Sequence, residues 1–183
     1  MENTIVFIDN GYLKLILKEF NNLKIDINKL SFNLCKKIDL WCDSVYVYDA
    51  PPYQDPNSKE DRIRKKNYDK FISKLREKKI IVREGRCQKI GNEFHQKGVD
   101  TLLTMDLLSI PQEKNIKNVI LIACDTDFVP VLEKIRSKGY KIYLFHYNDY
   151  KRKSKFSMSN HLEIACDRTI LIKKDDLEKS KLG

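Results

Sequence analysis

The chain predicts an α/β domain, a three-layer α/β/α sandwich around a mostly parallel sheet. Short apolar runs that suit strands alternate with longer segments of helical periodicity. Two of the runs, "TIVFI" (4–8) and "NVILIAC" (118–124), are apolar without alternation, as strands covered on both faces are. At 183 residues, 42% hydrophobic and 33% charged, the chain can bury the core of one domain without disulfides or structural metals.

The elements follow in order. The first strand, 4–8, ends at Asp9-Asn10-Gly11. Residues 12–21 and 27–41 read as helices rich in Leu, Ile and Phe. "SVYVYDAPP" (44–52) is a second strand, stopped by two prolines that lack the N–H a ladder needs. A helix over 56–79 opens at Asn57 or Ser58, and its Tyr68, Phe71, Ile72 and Leu75 share one face. "IIVREGR" (80–86) is a third strand, and 97–110 is a helix ending before Pro111. The fourth strand, 118–124, leads into a helix that Gly139 terminates. A fifth strand (141–147), a short helix (157–167) and a last strand (169–172) complete the pattern. Residues 1–173 form a single domain, and 174–183 are a charged tail expected to fray or form a solvated helix.

Composition narrows the function classes. No apolar run approaches the ~18 residues of a membrane-spanning helix, and the start lacks the basic and apolar regions of a secretory signal. No membrane partner is expected. Five cysteines, an odd number without CxxC spacing, fit a reducing compartment, the cytoplasm. With the three histidines they form no zinc-ligand cluster. A net charge of +9 makes nucleic acid the first partner to test, although a solvated lysine face gives the same figure. The oligomeric state stays open, a homodimer included.

The acids are more specific. In open parallel sheets ligands bind beyond the carboxyl ends of strands, where strand order reverses. Asp9 follows the first strand; Asp125 and Asp127 follow the fourth. If those strands are neighbours, three carboxylates converge, and a hard divalent cation with oxygen ligands relieves their repulsion. Each alone has a plainer explanation as a turn residue or helix cap. Asp100 falls in the first turn of the 97–110 helix, which the helix dipole alone would favour. Asp106 points into the apolar stripe of the same helix, where a carboxylate needs a cation, a donor or a proton. The two lie ~9 Å apart along the axis, so Asp100 is the expected ligand and Asp106 a supporting acid.

Five segments, "VFIDNGYL" (6–13), "VYVYDAPP" (45–52), "QKGVDTLLTMDLL" (96–108), "ACDTDFVPVLEKIRSKGYKIYL" (123–144) and "HLEIACDRTILI" (161–172), together resemble the NYN domain, the LabA-like branch of the PIN-like nuclease group. The resemblance spans nearly the whole chain in order. It implies a Rossmann-like sandwich with the first and fourth strands adjacent, and an acidic divalent-metal site acting on RNA. The acids it carries over are Asp9, Asp100, Asp125 and Asp127, with Asp106 at a further acidic position. Many relatives carry Asn three residues beyond the first aspartate; this chain has Tyr12 there, with Asn10 directly after Asp9.

The leading expectation is metal-dependent hydrolysis of single-stranded RNA, with Mg²⁺ or Mn²⁺ held by Asp9, Asp100, Asp125 and Asp127, leaving a 5′-phosphate and a 3′-hydroxyl. Substrate contacts are expected from Asn10, Lys97, Arg62, Lys65 and Thr126. Arg64, Lys66, Arg83 and Arg86 add basic charge, and Tyr53 and Tyr68 are candidate stacking surfaces. The alternative is a catalytically weak RNA-binding or regulatory protein of the same fold, which the Tyr12 departure motivates. A phosphoryl-aspartate phosphatase fits poorly, because Gly11 stands where the second acid belongs.

Overall fold

A computed structural model describes residues 1–55, 57–91, 93–110, 116–151 and 154–182. Two boundary residues of the sequence reading, Pro56 and Pro111, lie outside the described residues. The chain runs β1 (Glu2–Asp9), α1 (Asn10–Glu19), α2 (Ile27–Lys37), β2 (Leu40–Asp49), α3 (Lys59–Glu77), β3 (Ile81–Glu84), β4 (Arg86–Ile90) and β5 (Glu93–Lys97). It continues α4 (Val99–Ser109), β6 (Asn118–Ile122), α5 (Val129–Ser137), β7 (Lys141–His146), α6 (Asn160–Ile164), β8 (Arg168–Leu171) and α7 (Lys174–Glu178).

Six strands form one parallel sheet in the order β3-β2-β1-β6-β7-β8, and β4 and β5 form a separate antiparallel hairpin. Successive side chains of a strand point to opposite faces, so β1 feeds two cores. Val6 and Ile8 pack with Leu13 and Ile16 of α1, Leu30 and Leu34 of α2 and Ile72 of α3. Ile5 and Phe7 pack on the other face with Leu103 and Leu107 of α4 and Leu132 and Ile135 of α5. These two apolar layers give the expected three-layer sandwich, with its first and fourth sequence-read strands, β1 and β6, side by side. Among the described residues no helix is long and apolar enough to cross a membrane.

Three segments differ from the sequence reading. The helix expected over 27–41 stops at Lys37, because Asp39 turns the chain at φ 57°. Beyond it Leu40 and Cys42 are buried while Trp41 and Asp43 face solvent, the period of a strand. The third strand ends at Glu84 and the β4–β5 hairpin follows, an element the sequence reading lacks. The charged tail is a docked helix rather than a frayed or solvated one. Leu177 is fully buried, the Ser180 carbonyl accepts the Asp26 N–H at 2.8 Å, and Lys37 Nζ lies 2.7 Å from Asp176 Oδ2.

Candidate active site

The chain winds outward from β1 to β3 on one side of the sheet and from β6 to β8 on the other. Strand order therefore reverses between β1 and β6, and the crevice beyond their carboxyl ends is where such sheets bind ligands. A cleft of about 530 Å³ opens there, lined by Asp9, Tyr12, Gln96, Asp100, Asp125 and Thr126, with Cys124, Lys155 and Ser157 also on its wall.

Local structure fixes each acid. Asp9 ends β1 and caps α1, its Oδ1 accepting the Tyr12 N–H at 3.2 Å. Asp125 caps a 3-10 turn, Thr126–Phe128, its Oδ1 accepting the Asp127 N–H at 2.9 Å. Asp100 stands in the first turn of α4 behind Gly98, whose φ of 81° no side chain adopts without strain. The start of α4 is pinned from outside by Gly85, where a Cβ would lie 2.6 Å from the Lys97 carbonyl oxygen and 2.8 Å from Val99 Cγ2. Lys97 lies just before the helix that carries Asp100, and Val99 is that helix's first residue. Gly85→Ala is expected to lower stability by about 1–3 kcal/mol, the usual cost of forced overpacking, read by denaturant melts. An unchanged midpoint would refute the close packing described for this junction.

The electrostatics are those of crowded acids. The Asp9 carboxyl is pushed up to about 6, by burial first and then by the charges of Asp100 and Asp49, with the Tyr12 and Gly11 N–H groups pulling the other way. Asp100 is raised by burial and by Asp125 and Asp127. None of Asp9, Asp100, Asp125 and Asp127 has an ion-pair partner among the described residues. An all-oxygen, anionic donor set, with Asp9 and Asp100 both raised, is the chemistry a hard divalent cation satisfies. The acids share a cleft rather than a ready-made cage: among the described residues no three His, Cys, Asp or Glu side chains stand close enough to hold an ion as placed.

The other expected residues divide. Thr126 lines the cleft; Asp127 faces solvent just outside its wall, its charge felt by Asp100. Asn10 is not at the cleft. It is buried and donates from Nδ2 to Asp49 Oδ2 at 2.7 Å, since the first helical turn after Asp9 carries it beneath the sheet end. Asp106 does not support the acidic cluster either: it finds its cation in Arg83, whose Nε and Nη2 donate to Oδ2 and Oδ1 at 2.8 and 2.9 Å. The Tyr48 hydroxyl also donates to Asp106, at 2.8 Å. This fork ties α4 to β2 and β3, and so helps hold Asp100 in place. Arg62 and Lys66 are exposed on α3, Lys65 pairs with Asp69 and Arg64 with Asp61. Lys97 and Arg86 face each other across the base of the hairpin, also exposed. Tyr68 is buried, and Tyr53 is half-buried against Phe94. Tyr12 serves as a bolt, its hydroxyl oxygen accepting the Tyr147 N–H at 2.8 Å.

Asp49 is the acid the sequence reading missed. It ends β2, fully buried, and accepts from Asn10, from Lys14 Nζ at 2.6 Å and from the Ala50 N–H at 2.9 Å. Its signal was the one used for Asp9: a carboxylate directly after an apolar strand. Lys14→Met strips from this buried charge the cation paired with it among the described residues. A loss of about 2–3 kcal/mol is expected, below the full cost of orphaning a buried ion because two donors remain, and urea melts measure it. Restoration of stability in the Lys14→Met/Asp49→Asn double variant identifies the orphaned charge as the cause.

The fold and the site together define a Rossmann-like α/β domain with an acidic cleft at its switch point. The model of the NYN domain family matches residues 3–173, and the chain belongs to this family, a PIN-like nuclease family. Among solved structures, a protein of unknown function from Vibrio parahaemolyticus is similar at 18% identity and a TM-score of 0.65, with 95% of this chain and 94% of that one covered. A type II dehydroquinase from Butyrivibrio crossotus is matched at 9% identity and a TM-score of 0.42, covering 93% and 87%. No curated protein matches the chain.

Proposed function

We propose that this protein is a divalent-metal-dependent ribonuclease that hydrolyses phosphodiester bonds of single-stranded RNA. One observation carries the reading: Asp9, Asp100 and Asp125, none ion-paired among the described residues, line a single cleft at the switch point of a NYN domain. Asp9, Asp100 and Asp125 would hold Mg²⁺ or Mn²⁺, with Asp127 acting directly or through water. Such an ion, when bound, offsets charge on the phosphate and lowers the pKa of a water. The chain supplies the rest. Caps at Asp9 and Asp125 fix both carboxylates before substrate arrives, which removes reorganisation from the reaction step. Lys155, on the cleft wall and paired with Glu19 at 2.9 Å, would have to share its charge with a phosphodiester oxygen, and Ser157 and Thr126 offer hydroxyls.

A second reading, RNA binding without turnover, is favoured by the spacing of the acids, which form no compact cage as placed. Incubating labelled single-stranded RNA with the purified protein and Mn²⁺ or Mg²⁺ separates the two. Cleavage that a chelator stops, leaving 5′-phosphate ends, is expected. RNA bound but left intact across metals and sequences would remove the enzymatic reading and leave the second.

A further inference from the structure

An acidic cleft repels the phosphates it is built to cleave, so affinity for RNA must come from groups beside it. The ion-paired Arg64 and Lys65 of α3 are partly spent on acids of their own helix. The β4–β5 hairpin offers a different kind of contact. Nearly all its side chains are exposed or half-exposed, and a two-stranded ribbon without a core is marginal unless tied to something. Its register places Cys87 opposite Gln96 and Lys89 opposite Phe94, so these four side chains share one face. At one end of that face Gln96 lines the acidic cleft with Asp9 and Asp100. About 7 Å farther along the strand, Phe94 is 56% exposed and lies with its ring centroid 5.3 Å from that of Tyr53, tilted 43°. Lys89 Nζ sits 5.8 Å above the Phe94 ring. Gln96 also borders a second groove of about 490 Å³ with Ala50, Pro52, Arg64, Asn67 and Tyr68, so the surface beside the cleft is continuous through it.

We propose that Phe94, Tyr53 and Lys89 form a nucleobase-stacking platform that holds the nucleotide flanking the scissile bond, with Gln96 as the step between platform and cleft. The inference rests on the ribonuclease reading for the scissile bond, while the platform itself stands on geometry. An exposed aromatic pair under a cation suits a flat π-system on an anionic backbone. The hairpin charge agrees, with Arg86, Lys89 and Lys97 against the single acid Glu93. An apolar protein partner would call for a broad patch, but the hairpin's other exposed apolar residue, Ile90, lies in register with Glu93 on the opposite face.

Binding, measured apart from cleavage, tests this. Fluorescence anisotropy in chelator-containing buffer would compare a short single-stranded RNA with a series carrying one abasic position each. Phe94→Ala should weaken binding of the intact RNA about tenfold or more, and Phe94→Trp should restore it. One abasic position should weaken wild-type binding to a similar degree yet add little to Phe94→Ala, the coupling expected of a base on that ring. Because Phe94 is exposed, melting temperatures should not move. Equal affinities for wild type and Phe94→Ala, strictly additive abasic effects, or no RNA binding by wild type would each overturn the platform. RNA binding that depends on Phe94 without any cleavage would keep the platform and remove the nuclease; cleavage with Phe94-independent binding would do the reverse.

Discussion

If the protein is the proposed metal-dependent ribonuclease, Asp125→Asn is expected to leave a folded protein that still binds RNA but cleaves it more than about 10²-fold more slowly in Mn²⁺. The size follows from the position. Changes to groups that only orient a metal ligand cost 10–100-fold, so loss of a direct holder costs at least the upper end. The fold survives because the structural task of Asp125 is to accept the Asp127 N–H at 2.9 Å, and an asparagine Oδ1 does this equally well. Only the charge is lost. Asp127→Asn should cost less, about tenfold, since Asp125 lines the cleft and Asp127 does not. Single-turnover rates at saturating Mn²⁺, with circular dichroism as the fold control, decide the order. A fully active Asp125→Asn, or Asp127→Asn the more damaged of the two, would sink this assignment of roles.

How far the sequence discloses the molecule depends on how each segment is buried. β1 and β6 sit mid-sheet between two helical layers, so every residue of "TIVFI" and "NVILI" is apolar apart from Thr4 and Asn118 at their ends, and such runs have few other readings. Asp9 and Asp125 were legible for the same reason, because a carboxylate at the end of a buried run breaks the pattern abruptly. The start of β2 was harder. Leu40, Cys42 and their exposed neighbours alternate over only four residues, too short to outweigh the helical spacing of Leu30, Leu34 and Cys35 just before. The hairpin has almost no buried face, so no periodicity marks it. α7 depends on Leu177 and on backbone pairing of Ile25 with Lys181, and a single apolar residue among charges carries no period.

Partner choice was less legible than position. The sequence demanded a partner for Asp106, and the structure supplies one in Arg83, 23 residues earlier and across a strand edge. Nothing local to either residue announces that pairing. Asn10 shows the converse. Its place next to Asp9 suggested a shared task, but one step along a helix turns a side chain by ~100°, enough to send Asn10 to Asp49 while Asp9 stays in the cleft. Adjacency in sequence predicts divergence of side chains at a helix start.

Asp9→Asn should make the metal-free protein more stable at pH 7, by about 1–3 kcal/mol. The Asp9 carboxyl has a folded-state pKa of about 6 against an ordinary 3.8, burial being the main cause. A carboxyl raised in this way binds its proton more readily in the folded than in the unfolded state between those two values. The contribution of Asp9 to stability is therefore most favourable below about pH 4 and is lost as pH rises through 6. Above that window the ionised carboxylate costs up to about 3 kcal/mol, reduced by the solvent that reaches a half-buried group. Asparagine carries no such charge, and it caps α1 as well as aspartate does. The wild-type and variant stability curves should thus meet near pH 4 and separate by pH 7. Mn²⁺ should then narrow this gap, because a cation held by Asp9 stabilises the wild type by about 2.7 kcal/mol at a hundred times its dissociation constant. The variant, one ligand short, should gain less. Urea melts at pH 4, 5.5 and 7, with and without Mn²⁺, read both effects. Parallel pH curves would remove the crowded charge as a cost to the fold, and equal stabilisation of both proteins by Mn²⁺ would remove Asp9 from the cation site.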